Sequence, residues 1–159
     1  MKNMKVSALL LILSAFAIQS VLCASKTEIA ALNDLYASAG GAGWYLNSGW
    51  TQGDPCVNNW SGVTCDSGHV ISVTLSNNGL AGSLPSNLNN LISIQTFDVS
   101  FNPKLSGTIP AVPQWSSAYT LLFNNCQFNG SIPSQISAKD INQLNLSNNQ
   151  LTGTIPENL

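Results

Sequence analysis

Hydrophobic and polar positions follow a pattern that occurs four times between residues 70 and 159. In each copy two apolar residues stand two positions apart, and a third follows a polar turn. A fourth lies four positions further on, next to a proline. One glycine in each copy marks the period, with steps of 25, 23 and 23 residues, at Gly82, Gly107, Gly130 and Gly153. A period of about 20 to 29 residues is typical of a solenoid, whose coils bury their apolar side chains against their neighbours.

The apolar pairs predict one short strand per coil, because side chains two apart on a strand share a face. These pairs are Val73/Leu75, Phe97/Val99, Leu121/Phe123 and Leu144/Leu146. Each strand recurs after about one coil length, so neighbouring strands must run parallel. The apolar positions that follow turn the chain inward again, at Leu80, Leu105, Phe128 and Leu151. The fold class predicted is an α/β solenoid with a parallel β-sheet on one face.

The chain before the repeats predicts one amphipathic helix. Ser25 and Glu28 form a capping-box pattern, and a glycine pair at Gly40 and Gly41 ends the element. The apolar residues between them recur at helical spacing, at Ile29, Leu32, Leu35 and Tyr36. This helix of about 12–14 residues should cover the first coil.

Residues 1–23 have the features of a secretory signal peptide. A short basic head precedes an apolar run over residues 6–21, and small residues near Cys23 and Ala24 suit cleavage there. The alternative is a membrane anchor, but the run is short for a spanning helix and is interrupted by Gln19 and Ser20. We expect a secreted, extracellular chain with no membrane span.

The charge balance excludes nucleic acid as a partner. After residue 23 the chain has three lysines, no arginine and seven acidic residues, a net charge of −4. A nucleic-acid-binding protein needs a basic surface, which this composition does not supply.

Three cysteines remain after the predicted cleavage, an odd number for a secreted chain. Cys56 and Cys65 are close in sequence and flank a tight segment, so we pair them in a disulfide. Trp44, Tyr45, Trp50 and Trp60 crowd the same region. They could form a sugar-binding platform. The favoured interpretation is that they pack beneath the helix and around the disulfide, because the end of a solenoid must be sealed.

The segment around these cysteines, with its Trp-x-Gly-Val core at residues 60–63, resembles the N-terminal cap of plant-type leucine-rich-repeat proteins. The repeats, with Leu-x-x-Asn-x-Leu-x-Gly-x-Ile-Pro, are similar to the plant-type repeat of that family. The resemblance implies a short right-handed coil with a helical, disulfide-bonded cap. The predicted divisions are a signal peptide at 1–23, the cap at 24–68, and four repeats at 69–159, the last incomplete and uncapped.

The resemblance also implies a ladder of buried side chains that bond to backbone in the turns. Its members would be Asn78, Asn102, Cys126 and Asn149. An amide suits this role because it both donates and accepts. Cysteine is a small, weakly donating substitute, which favours a buried free thiol at Cys126. An intermolecular disulfide is the alternative.

The outward strand positions form the predicted binding face. Its residues are Thr74, Thr96, Asp98, Phe101, Thr120, Leu122, Asn124 and Gln143. Phe101 and Leu122 are the apolar members and suit a binding hot spot. Alternatively, Phe101 folds over the sheet edge, because the second repeat carries an extra residue at Pro103 and Lys104. N-glycosylation sequons begin at Asn59, Asn129 and Asn145.

The sequence offers no catalytic set. His69 is the only histidine and is expected in solvent between the cap and the first strand. A Ser/His/Asp triad, a carboxylate pair and a metal-ligand cluster all lack support. We therefore expect no enzyme activity, no cofactor and no metal.

Function follows from the resemblance. It implies a secreted recognition module that binds a protein or glycan partner through the strand face. One alternative is a fragment of a receptor-like kinase ectodomain, and another is a structural or ice-binding solenoid. The open end at Leu159 predicts self-association through the last repeat.

Overall fold

The computed structural model describes residues 23–136, 141–157 and 159. The predicted signal peptide therefore lies outside the described residues, Cys23 excepted. Two α-helices occur in this part of the chain, α1 (Lys26–Ser38) and α2 (Pro55–Asn58). Two 3-10 turns span Gly41–Gly43 and Ser86–Asn90. The strands of the described residues are β1 (Val63–Asp66), β2 (His69–Thr74), β3 (Ala81–Ser83), β4 (Thr96–Asp98), β5 (Lys104–Thr108), β6 (Thr120–Leu122), β7 (Gln127–Ser131), β8 (Gln143–Asn145) and β9 (Gln150–Thr152).

The strands form two sheets on different sides of the coil. The first has the order β1-β2-β4-β6-β8, and the second has the order β3-β5-β7-β9. Every pair in the second sheet is parallel, as are the pairs from β2 to β8 in the first. The predicted solenoid with a parallel sheet is confirmed. The apolar pairs did not predict the second sheet, nor the antiparallel strand β1 that closes the first.

Helix α1 has the predicted position and cap. It is 13 residues long, and Ser25 and Glu28 form a complete capping box. Glu28 is 1% exposed, and its Oε1 accepts a hydrogen bond from the backbone N–H of Val70 at 3.0 Å. His69 begins β2 with half its side chain exposed, and its Nδ1 lies 3.6 Å from Glu28 Oε2. One buried carboxylate therefore joins the cap helix to the first repeat.

Three of the four cap aromatics are buried, as the favoured interpretation predicted. Trp44, Trp50 and Trp60 are at most 5% exposed, and each donates its indole N–H to a backbone carbonyl. The Cys56–Cys65 disulfide is present beside them. For Tyr45 the interpretation is wrong, because its side chain is 74% exposed.

The core runs continuously from the cap into the repeats. Phe97 packs against Trp115 and Phe123, and Phe123 packs in turn against Phe128. In the last described coil Leu144, Leu146 and Leu151 are only partly buried. None of the helices among the described residues has the length and apolarity needed to cross a bilayer.

Candidate functional site

The strand face is the outward surface of the first sheet, and its residues align across the coils. Ser72, Thr96, Thr120 and Gln143 form one row, and Thr74, Asp98, Leu122 and Asn145 form the next. Thr74 and Gln143 are exposed, and the other predicted binding residues of these rows are partly exposed. This register gives a surface of short polar side chains around Asp98 and Leu122.

Asp98 is held in place by its own turn. Its Oδ1 accepts hydrogen bonds from the backbone N–H and the hydroxyl of Ser100, at 2.9 and 2.6 Å. Asn145, in the same row, accepts the same two bonds from Ser147. Since an amide makes this turn equally well, the charge of Asp98 is not needed for the local fold. The Asp98 side chain is partly exposed, so its carboxylate also meets solvent on the strand face.

Two predicted members of the strand face, Asn124 and Phe101, lie outside its two aligned rows. Asn124 is only 5% exposed, so the expectation of an outward side chain is wrong. Beyond the strand the chain enters a left-handed turn at Asn125, so the alternation of the strand ends here. Backbone hydrogen bonds join this segment to the coils on both sides. Ser100, also in a middle coil, is 3% exposed, whereas Ser76 and Ser147 in the outer coils are exposed.

Phe101 follows β4 in a left-handed turn and lies outside the two aligned rows of the strand face. It is 53% exposed and lines a cavity of about 320 Å³ together with the cap residue Tyr45. Leu122 does not line that cavity. No local pattern in the sequence predicts the exposure of Tyr45, which follows a buried tryptophan in a tryptophan-rich segment.

The amide of Asn102 bonds to two coils at once. Its Oδ1 accepts from the backbone N–H groups of Asn78 and Leu80 in the preceding coil. Its Nδ2 donates to the carbonyls of Leu75, Val99 and Ser100. Asn149 makes the same kind of contacts, accepting from Phe128 and donating to Phe123, Leu146 and Ser147.

Asn78 makes hydrogen bonds of the same kind to the backbone of the cap. Its Oδ1 accepts from the N–H of Leu46 at 2.7 Å, and its Nδ2 donates to the carbonyl of Leu46 at 3.0 Å. The N–H of Tyr45 donates to the Asn78 carbonyl. The loop that carries Tyr45 is therefore fixed on the first repeat.

Cys126 occupies the ladder position of the third repeat as a buried thiol that forms no disulfide. Its Sγ donates to the carbonyls of Val99, at 3.3 Å, and Asn124, at 3.7 Å. Burial raises the pKa of this thiol, a backbone hydrogen bond from Asn102 lowers it, and the charge of Asp98 raises it again. The thiol is consequently held in its protonated, weakly nucleophilic form.

The three sequon asparagines differ in environment. Asn59 and Asn129 are exposed, whereas Asn145 is partly buried and its Oδ1 is occupied by Ser147. Over the described residues, no group of three His, Cys, Asp or Glu side chains is arranged as metal ligands would be.

Coils of parallel strands, a buried ladder and a disulfide-bonded helical cap define the class of a leucine-rich-repeat solenoid. The chain belongs to this family. The leucine rich repeat N-terminal domain matches residues 25–66, and the leucine rich repeat matches residues 69–91 and 140–159.

Relatives of the chain are plant receptor-like proteins. Protein STRUBBELIG-RECEPTOR FAMILY 3 of Arabidopsis thaliana is 33% identical over 120 residues, which are 74% of this chain and 15% of that protein. The chain thus spans a small part of its curated relatives.

Two solved structures have the same fold. The BIR2 ectodomain from Arabidopsis thaliana is 30% identical with a TM-score of 0.70, over 84% of this chain and 72% of that one. The Arabidopsis receptor kinase HAESA, solved with the peptide hormone IDA and the co-receptor SERK1, is 26% identical with a TM-score of 0.68. That match covers 83% of this chain and 23% of HAESA. No enzymatic family is indicated.

Proposed function

We propose that this chain is an extracellular, non-catalytic recognition module that binds a peptide or protein segment across the strand face. The observation that carries the proposal is the row Thr74, Asp98, Leu122 and Asn145, which presents a carboxylate and an aliphatic side chain in fixed register. The likeness to HAESA, solved with a peptide hormone, supports a peptide as the ligand.

The size of the face favours a short ligand. Five strands about 4.8 Å apart span roughly 19 Å between the outer strands. A standard protein interface needs about 800 Å² on each partner, which is more than this strip offers. An extended peptide or a single loop fits it better than a folded surface. The chain also suits a portion of a receptor ectodomain in which further coils extend the face.

Asp98 gives the proposal its sharpest test. Selection from a random peptide library should yield ligands with a basic residue, because that charge complements the carboxylate. Asp98→Asn keeps the turn that Asn145 makes naturally and removes only the charge. We expect it to weaken those peptides by about tenfold, measured by calorimetry.

Matched variants complete the test. Leu122→Ala should also weaken binding, whereas Thr108→Ala, an exposed threonine on the second sheet, should leave it unchanged. Selected peptides whose affinity is the same for the parent chain, Asp98→Asn and Leu122→Ala would place recognition away from the strand face and refute the proposal.

A further inference from the structure

A second surface lies between the cap and the repeats, separate from the strand face. We propose that this surface, the aromatic cleft, binds one hexuronate ring of an anionic oligosaccharide. The cleft has a volume of about 320 Å³, and its walls include Tyr45, Asn77, Phe101, Pro103 and Lys104. Because none of these residues belongs to the aligned strand rows, the cleft can be tested independently of the peptide-binding face.

Tyr45 forms one wall and is fixed by the backbone beneath it. A Cβ added at Gly79 would lie 3.2–3.4 Å from the tyrosine ring, so the ring lies directly over this glycine. The loop is bonded to Asn78 on both sides of the Tyr45–Leu46 peptide. With 74% of its side chain exposed, Tyr45 presents a broad aromatic surface whose backbone is already ordered.

Phe101 also lines the cleft, and it does so at a conformational cost. Its φ is 56°, in the left-handed region that bulky residues avoid. The equivalent residues of the other coils are all asparagine, with φ of 50–57°, at Asn77, Asn125 and Asn148. Asparagine adopts this region far more readily than phenylalanine does. An exposed aromatic ring in a strained position points to a role in binding, since burial does not offset the strain.

The insertion in the second repeat gives the cleft its positive charge, which Lys104 carries. Pro103 and Lys104 are exposed and stand where other repeats have a single residue, and the Gln127 side chain donates to the Pro103 carbonyl at 2.6 Å. Lys104 is the one charged residue lining the cleft. Among the described residues no carboxylate lies within 4.0 Å of its ammonium group. The ligand therefore needs an anionic group beside an apolar ring face.

A hexuronate has this combination of groups. Its C–H face can stack on aromatic rings, its hydroxyls can bond the amide of Asn77, and its carboxylate complements Lys104. Ligand pockets measure about 300–1,000 Å³, so this cleft lies at the small end of the range. One sugar ring fits that volume, and an oligosaccharide could extend from it into solvent.

The test uses tetragalacturonate and its methyl ester as paired probes, titrated into the secreted chain by calorimetry. Esterification removes the charge and keeps the ring. We expect the acid to bind saturably and the ester more weakly. Phe101→Asn should lower affinity for the acid by at least about tenfold while the fold stays intact, because it installs the residue found in the other coils. Tyr45→Ala should act in the same direction.

Control variants separate the cleft from general effects. Tyr119→Ala removes an exposed tyrosine outside the cleft, and Lys26→Gln removes a lysine on α1. Both should leave affinity within about twofold of the parent chain, whereas Lys104→Gln should reduce affinity for the acid to that for the ester. Absence of saturable binding would overturn the proposal, as would binding that survives both Phe101→Asn and Tyr45→Ala. A requirement for Phe101 in peptide binding without any sugar binding would assign the cleft to the peptide ligand instead.

Discussion

Asn102 and Cys126 occupy the same position in neighbouring coils but satisfy the backbone in different ways. Asn102 both accepts from and donates to the backbone, with five hydrogen bonds in all. Cys126 donates two contacts from sulfur and accepts a weak backbone hydrogen bond from Asn102. A thiol at this position is a weaker acceptor than the Asn102 amide, which serves two backbone N–H groups of its preceding coil.

In the second repeat one of the two corresponding N–H groups, that of Leu105, finds its acceptor within its own turn. In the first repeat the N–H of Leu80 donates to Asn102 Oδ1. The equivalent N–H, that of Leu105, donates instead to the Asn102 carbonyl at 2.9 Å. The extra residue between Asn102 and Leu105 makes this local turn possible. The cysteine and the insertion are therefore two parts of one arrangement, and the insertion also builds a wall of the aromatic cleft.

The largest effect predicted from this comparison is that of Asn102→Ala. It removes the acceptor for two buried N–H groups and the donor to three carbonyls, so we expect a loss of about 3–5 kcal/mol in the free energy of unfolding. Cys126→Ala should cost about 1 kcal/mol or less, since its sulfur bonds are weak. Urea unfolding followed by tryptophan fluorescence measures both. Equal losses in the two variants would contradict the distinction drawn between the positions.

Removal of the cap disulfide gives an intermediate effect. The bond closes a loop with a sequence separation of 9 residues, which corresponds to about 2–3 kcal/mol on the loop-entropy estimate. Replacement of Cys56 and Cys65 together by serine should therefore cost less than Asn102→Ala and more than Cys126→Ala. The same urea titration places the three on one scale. A disulfide-free chain as stable as the parent would show that the indole hydrogen bonds and packing hold the cap unaided.

The sequence predicted the regular parts of this fold and missed the features that depend on neighbouring coils. Spacing alone was sufficient for α1 with its capping box and for the parallel strands, because each depends on a local period. The second sheet was missed because its strands have three to five residues, and three of them, β3, β5 and β7, contain glycine. Their outward side chains are polar, and only one apolar residue per coil marks them.

For the candidate site, the sequence likewise predicted the residues that repeat regularly and missed those whose exposure depends on other coils. The strand rows followed from the repeat alignment, whereas the burial of Asn124 depends on the coils on either side of it. The same alignment placed Phe101 in a column of asparagines, and a column of asparagines indicates a left-handed turn. That signal could have marked Phe101 as strained before the structure was known. The exposure of Tyr45 depends on the contact of its loop with Asn78, which no local pattern reports.

A coupled pair of changes tests the link between Cys126 and the insertion. Deletion of Pro103 should restore the spacing of the first repeat and deprive the Leu105 N–H of its local acceptor. Cys126→Asn should supply that acceptor from the next coil. Each change alone should be neutral or destabilising, and together they should show a favourable coupling of about 1 kcal/mol in a double-mutant cycle. Additive effects would mean that the insertion and the cysteine are unrelated.

The smallest effect expected is the pH dependence that Cys126 contributes. Burial raises the pKa of its thiol above the ordinary value of about 8.5. Above that value the unfolded chain loses its thiol proton before the folded chain does, so the unfolded state binds fewer protons and stability must fall as pH rises. Below it, both states are protonated and this contribution to stability is fully retained. Tyrosines and lysines also titrate at high pH, so the difference in free energy of unfolding between the parent chain and Cys126→Ala isolates the thiol. That difference should be constant up to about pH 8 and should then shift against the parent chain.

In the same samples Cys126 should react with an alkylating reagent only as fast as the protein unfolds. Rapid alkylation of the native chain at neutral pH would show that the thiol is accessible and would remove the physical basis for the shift.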